Sequence, residues 1–135
     1  MSTPTKIEQA SKTFLLATAI ALFPVSFTYG FLPEGTMNLL FGMDTTVEDI
    51  NLKNMLRALM GLYLAMVGLW MIGAFQLKYR KAALRTLVFF MFGVAAGRGF
   101  SFLLDGIPDW PFVFFFFAEI VMGGVGLRLL NRLND

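Results

Sequence analysis

Four runs of about twenty mostly apolar residues occupy most of this chain, at 14–31, 52–75, 82–104 and 111–130. As helices rising about 1.5 Å per residue, each is long enough to cross the roughly 30 Å hydrocarbon core of a bilayer. Hydrophobic residues make up 57% of the chain and charged residues 15%, against about 25% charged in soluble domains. The expected fold is all-α: a four-helix transmembrane bundle forming a single integral membrane domain over residues 1–135. The first run follows Lys6 and Lys12, as in a signal peptide. However, it is longer than the usual apolar region, Pro24 interrupts it, and no clean small-x-small site follows at Tyr29-Gly30-Phe31. It is therefore expected to stay as a span.

Charge placement gives an orientation. With four spans, Lys6, Lys12, Lys78, Arg80, Lys81, Arg85, Arg128 and Arg132 fall on one side, which is eight of the eleven basic residues. Glu34, Asp44, Glu48, Asp49, Asp105 and Asp109 fall on the other. The positive-inside rule then places both termini in the cytoplasm. Three or five spans would scatter the charges. The net charge of +2 is explained by these flanks, so no nucleic-acid partner is expected.

The connections carry local signals. Thr45 to Glu48 fits a capping box, so helix 2 is expected to begin near Thr46 and project beyond the membrane, with Asp49 and Lys53 as an i,i+4 pair. Pro111 suits the first turn of helix 4, and Trp110 the outer interface. Pro24 is expected to kink helix 1. In the first outer loop, Thr36-Met37-Asn38-Leu39-Leu40-Phe41-Gly42 reads as a short amphipathic helix ended by glycine.

The chain has no cysteine and no histidine. That removes thiolate chemistry, iron–sulfur ligation and the usual ligands of haem and zinc, so no metal and no cofactor are expected. Three ionisable residues lie within spans: Arg57, Arg98 and Glu119. Counted along their helices, all three sit roughly 8–12 Å in from the outer ends. Charges at that depth are costly and should face one another or a wet cavity. Arg98, Ser101 and Asp105 share one face of helix 3, Asn54, Arg57 and Gly61 one face of helix 2, and Glu119, Gly123 and Gly126 one face of helix 4. Small residues continue two of these faces inward (Gly61, Ala65 and Gly68; Gly123 and Gly126), which favours close packing. Gly93 and Gly97 form a further small-residue pair.

One shared pocket follows, with ligand-binding candidates Asn54, Arg57, Arg98, Ser101, Asp105 and Glu119. Two arginines against one glutamate leave a spare positive charge, suited to an anionic head group or carboxylate. The plainer alternative is that Glu119 pairs with one arginine to fix helix order while the other snorkels to the headgroups.

The stretch Asn54-Met55-Leu56-Arg57-Ala58-Leu59-Met60-Gly61-Leu62-Tyr63, then Gly97-Arg98-Gly99-Phe100-Ser101 with Asp105-Gly106-Ile107-Pro108, then Glu119, carries a resemblance. It resembles a family of small bacterial four-helix membrane proteins of unknown function, loosely grouped with DoxX-like proteins. The resemblance implies the four-helix fold, a bacterial inner membrane and the same polar residues. The looser grouping implies a link to quinone or sulfur redox chemistry.

The leading expectation is a non-enzymatic integral membrane binding or accessory protein with no catalytic residues. Its partners would be membrane lipid and a small anionic or amphipathic ligand. The alternatives are a quinone-binding subunit of a redox system and a structural subunit of a larger membrane complex, in contact with a partner membrane protein or its own copies.

Overall fold

The computed structural model describes residues 3–31, 35, 38, 39, 42 and 46–134. It contains four long helices: α1 (Lys6–Gly30), α2 (Ile50–Phe75), α3 (Leu77–Leu104) and α4 (Trp110–Asn134). All four are long and apolar enough to cross a membrane. The described residues form no strand. The protein is thus an all-α, multi-pass bundle of the expected class.

The helix ends differ from expectation in instructive ways. α1 starts eight residues early because Thr5 and Glu8 form a capping box. Thr5 Oγ1 accepts the Glu8 N–H at 3.2 Å, and Thr5 N donates to the Glu8 carboxylate at 2.7 Å. The same Thr-x-x-Glu pattern at Thr45–Glu48 does not start α2. Residues 46–49 are non-helical, and Asp49 is the N-cap, accepting from the Leu52 N–H at 3.0 Å. Its carboxylate is engaged there and makes no ion pair with Lys53. Thr45 lies outside the described residues.

α2 and α3 are joined by Gln76 alone. Lys78, Arg80 and Lys81 therefore belong to the first turns of a helix and not to a loop. Much of the amphipathic segment in the first loop is also outside the described residues. Within it, Asn38 and Leu39 are helical, and Gly42, at φ 65°, donates its N–H to the Asn38 carbonyl at 2.8 Å, as a glycine ending a helix does.

α1 continues through Pro24. Around it, Ser26 Oγ donates to the Leu22 carbonyl (2.8 Å) and Thr28 Oγ1 to the Val25 carbonyl (2.6 Å), so both hydroxyls are satisfied within the helix.

Antiparallel neighbours in sequence are neighbours in space: α1 lies along α2, α2 along α3 and α3 along α4. The α1–α4 seam is much the looser. The core is a cluster that includes Leu15, Ala19, Val67, Trp70, Leu84, Leu87, Met91 and Leu130. α2 contributes the stripe Tyr63, Val67, Trp70 and Ala74. This corrects the expected inward face. Gly61, Ala65 and Gly68 are exposed, and a Cβ added to Gly61 or Gly68 would meet nothing within 4 Å. Gly93 and Gly97 are likewise open. The reason is volume: large side chains fill the middle of a four-helix bundle, and the small-residue stripe lies roughly half a turn away from them. The expectation holds on α4, where Gly123 and Gly126 are buried against Phe92, Leu87 and Val88.

The close backbone approach occurs elsewhere, at Gly30. A Cβ there would sit 2.7 Å from Arg57 Cα and 2.8 Å from Met60 Cβ. Gly30→Val should therefore push α1 off α2 and lower the melting temperature in detergent, at a cost of about 2–3 kcal/mol as overpacking against backbone. Gly61→Ala should be neutral or stabilise by up to about 1 kcal/mol, through helix propensity alone. Equal melting of the Gly30→Val variant and wild type would show that the helices do not meet at Gly30.

Candidate functional site

Gly30 ends α1 beside Arg57, seven residues into α2, so α2 overshoots α1 by roughly 10 Å. The last turn of α1 thus ends inside the bundle and delivers Tyr29 to its interior. There Tyr29 meets two residues that the sequence places at similar depth on α3 and α4. Arg98 Nε lies 3.0 Å from both carboxylate oxygens of Glu119, and Arg98 Nη2 donates to Tyr29 Oη at 3.0 Å. This is the one ion pair among the described residues. Glu119 is 9% exposed, which makes it a buried carboxylate neutralised by its partner.

Each helix places its residue for a local reason. Glu119 continues inward as Gly123 and Gly126 on the buried stripe of α4. Arg98 lies three residues beyond Ala95, the last buried residue of α3, so it extends the core-facing stripe. Its guanidinium lies over two rings of α4, with the Phe112 and Phe115 centroids at 5.8 and 5.7 Å. Such cation–π contacts add favourable electrostatics where water is scarce. Behind the pair runs an aromatic chain: Tyr29 to Tyr63 at 5.0 Å, Tyr63 to Phe90 at 4.9 Å, and Phe90 to Trp70 at 5.6 Å between centroids.

These groups border a cavity of about 50 Å³ lined by residues of all four helices, among them Leu22, Tyr63, Phe90, Phe115 and Met122. That is room for a water or a few head-group atoms. A benzene ring occupies an apolar cavity of roughly 150 Å³, so a ring would have to displace side chains. The cavity wall itself is apolar, and the Arg98–Glu119 pair lies against it with its polar atoms turned to one another and to Tyr29.

The expected shared pocket is only partly formed. Arg98 and Glu119 come together. Arg57 does not join them: it is exposed, and its Nε points to the Gly30 carbonyl at 3.4 Å, where a cation suits the negative end of α1. The two-arginine, one-glutamate balance therefore does not describe this cavity. Ser101 and Asp105 are exposed and satisfy each other, Ser101 Oγ donating to Asp105 Oδ2 at 2.7 Å, so Asp105 does not guard the mouth. Asn54 is exposed on α2.

Three residues were missed. Tyr29 and Tyr63 look in sequence like aromatic residues of a span, and only the helix offset turns their polar tips inward. Arg80 reads as a topology charge but is 6% exposed. Its guanidinium donates to the carbonyls of Gly73 (3.1 Å), Ala74 (2.7 Å) and Glu8 (3.1 Å), capping the end of α2 and tying it to α1. The signal was present: an arginine a few residues past a helix end can bond that helix's last carbonyls.

Four helices of spanning length around a buried arginine–glutamate pair define a small multi-pass membrane bundle with a polar centre in the half nearer the α1–α2 and α3–α4 connections. Within that class the chain belongs to the family known as domain of unknown function DUF4345, matched over residues 10–130. That agrees with the resemblance as far as a family of unknown function. The match carries neither the DoxX-like grouping nor a bacterial source. No curated protein and no solved structure matches the chain.

Proposed function

We propose that this is a non-enzymatic membrane binding or accessory protein whose site is the cavity beside Arg98, Glu119 and Tyr29. The observation that carries the reading is an apolar, aromatic chamber reached by all four helices and set directly against the buried Arg98–Glu119 pair. A few convergent polar groups in an apolar pocket are the usual form of a small-molecule site. Because Glu119 already balances Arg98 and the chamber wall is apolar, the ligand class is an amphipathic molecule whose apolar part enters the chamber, and no full negative charge is needed. A quinone is the second reading, favoured by the ring-lined wall of Tyr29, Tyr63, Phe90 and Phe115. It needs Phe115 or Met122 to move aside.

The test is extraction of small molecules from the purified protein, comparing wild type with Ala118→Val. Ala118 lines the cavity but makes no bond to the ion pair. The variant should fill the space, keep the melting temperature within a few degrees and lose the co-purifying molecule. Retention of the same molecule by Ala118→Val, or no molecule on wild type extracted from its native membrane, would reject the site.

The membrane we assign is a bacterial inner membrane, with both termini cytoplasmic. The motif resemblance and the basic flanks support this. In the cysteine-free chain, a cysteine at Lys81 should label only with permeant reagents and one at Gly106 with impermeant ones. The opposite labelling would turn the cavity toward the cytoplasm.

A further inference from the structure

The loose α1–α4 seam opens again at the other end of the bundle, near both termini. There a groove of about 570 Å³ is lined by Lys6, Ile7 and Ala10 of α1 and by Arg128, Leu129 and Arg132 of α4. The spacing follows from helical geometry: Lys6 and Ala10 are one turn apart on α1, Arg128 and Arg132 one turn apart on α4, and the two faces oppose each other. Lys6, Arg128 and Arg132 are exposed, and no described acid lies within ion-pairing distance of them. The nearest acid in sequence, Glu8, is held by the Thr5 backbone. We propose that this groove binds the phosphate head of an anionic phospholipid, independently of the Arg98 site.

Three arguments select that occupant. The first is charge. Three cations with no acid among the lining residues favour a phosphodiester and disfavour a choline or ethanolamine head, whose own cation would enter the same field. Basic pockets between membrane helices recognise anionic head groups in this way. The second is geometry, because two arginines one turn apart can each present a planar fork to phosphate oxygens. The third is depth. Lys6 is the first residue of α1 and Arg132 lies in the last turn of α4, so the cations sit at head-group level. Ile7, Ala10 and Leu129 supply an apolar wall for the glycerol and upper acyl carbons.

The experiment is native mass spectrometry of the full chain in mild detergent, titrated with phosphatidylglycerol or phosphatidylcholine of identical acyl chains. Wild type should retain phosphatidylglycerol about tenfold more, in keeping with the attraction of basic residues to anionic lipid. Lys6→Gln/Arg128→Gln/Arg132→Gln should bring the two lipids close to parity. Arg128→Gln alone should reduce the preference, which keeps the test open if the triple variant folds poorly. Lys78→Gln/Lys81→Gln removes two cations at the same end of the bundle and should leave the preference intact. Three outcomes overturn the proposal: an undiminished preference in the triple and single variants, an equal loss in the Lys78/Lys81 variant, or displacement of phosphatidylglycerol by equimolar inorganic phosphate. The second would mean unspecific charge attraction, and the third a soluble anion as the natural occupant.

Discussion

Replacing Glu119 with glutamine should destabilise the bundle by about 3–5 kcal/mol, the range for breaking a desolvated pair by removing one partner. The direction follows from what is left behind. Arg98 Nε currently faces both Glu119 oxygens at 3.0 Å, and Nη2 reaches Tyr29. A neutral amide leaves a guanidinium among Phe112, Phe115 and the other cavity walls without its counter-charge. The check is thermal or denaturant unfolding in detergent. The double variant Glu119→Leu/Arg98→Met is the decisive companion. Removing both charges should cost less than Glu119→Gln alone, because a buried pair is often replaceable by apolar groups of similar volume. Melting of Glu119→Gln unchanged from wild type would mean that water or lipid already supports Arg98 and that the pair is not desolvated.

The second large effect is expected at Arg80. Arg80→Leu removes donors from three carbonyls at once, two of them at the end of α2 and one in the first turns of α1. A hydrogen bond to a charged group contributes about 1.5–3 kcal/mol, and these lie near the end of the helices, where entering water recovers part of the loss. A total of roughly 3–5 kcal/mol is expected on that basis. Arg80→Lys should recover only part of it, since a point-like ammonium cannot span three acceptors in different directions. Lys78→Leu, two residues away on the opposite face of the helix and exposed, should change stability by less than about 0.5 kcal/mol. Equal, small effects at Lys78 and Arg80 would reduce Arg80 to the topology charge that its sequence context indicates.

Whatever the ligand, these two variants separate structural from binding roles. Arg80 lies at the end of the bundle away from the cavity, so Arg80→Lys should soften the bundle without changing the retention of a molecule held at Arg98. Ala118→Val should do the reverse. Opposite responses of stability and retention would mark two independent functions of the fold's polar residues.

The sequence alone determined the class of structure. Apolar run length decides whether a helix spans, and that quantity is local, so four spans, their approximate limits and the depth of Arg98 and Glu119 were all legible. That Glu119 should meet an arginine followed as well, because uncompensated charge in an apolar interior has few ways to be satisfied, but the sequence left Arg57 and Arg98 equal candidates for the partner. Thr5–Glu8 and Thr45–Glu48 carry the same Thr-x-x-Glu pattern, and nothing local distinguishes the one that starts a helix from the one that does not.

Tertiary structure decided what depends on the rotation and offset of one helix against another. The face of α2 that turns inward is set by which side chains fill the shared interior, so Tyr63 and Trp70 are buried while Gly61 and Gly68 face out. Arg57 has the right depth but the wrong azimuth and caps α1. Tyr29 enters the polar centre only because α1 ends two turns short of α2. Arg80 becomes a clamp only because a single residue, Gln76, folds α3 back against the carbonyl end of α2. Each of these is a relation between helices, whose energies come from packing and from partners distant in sequence, and no run of residues encodes it by itself.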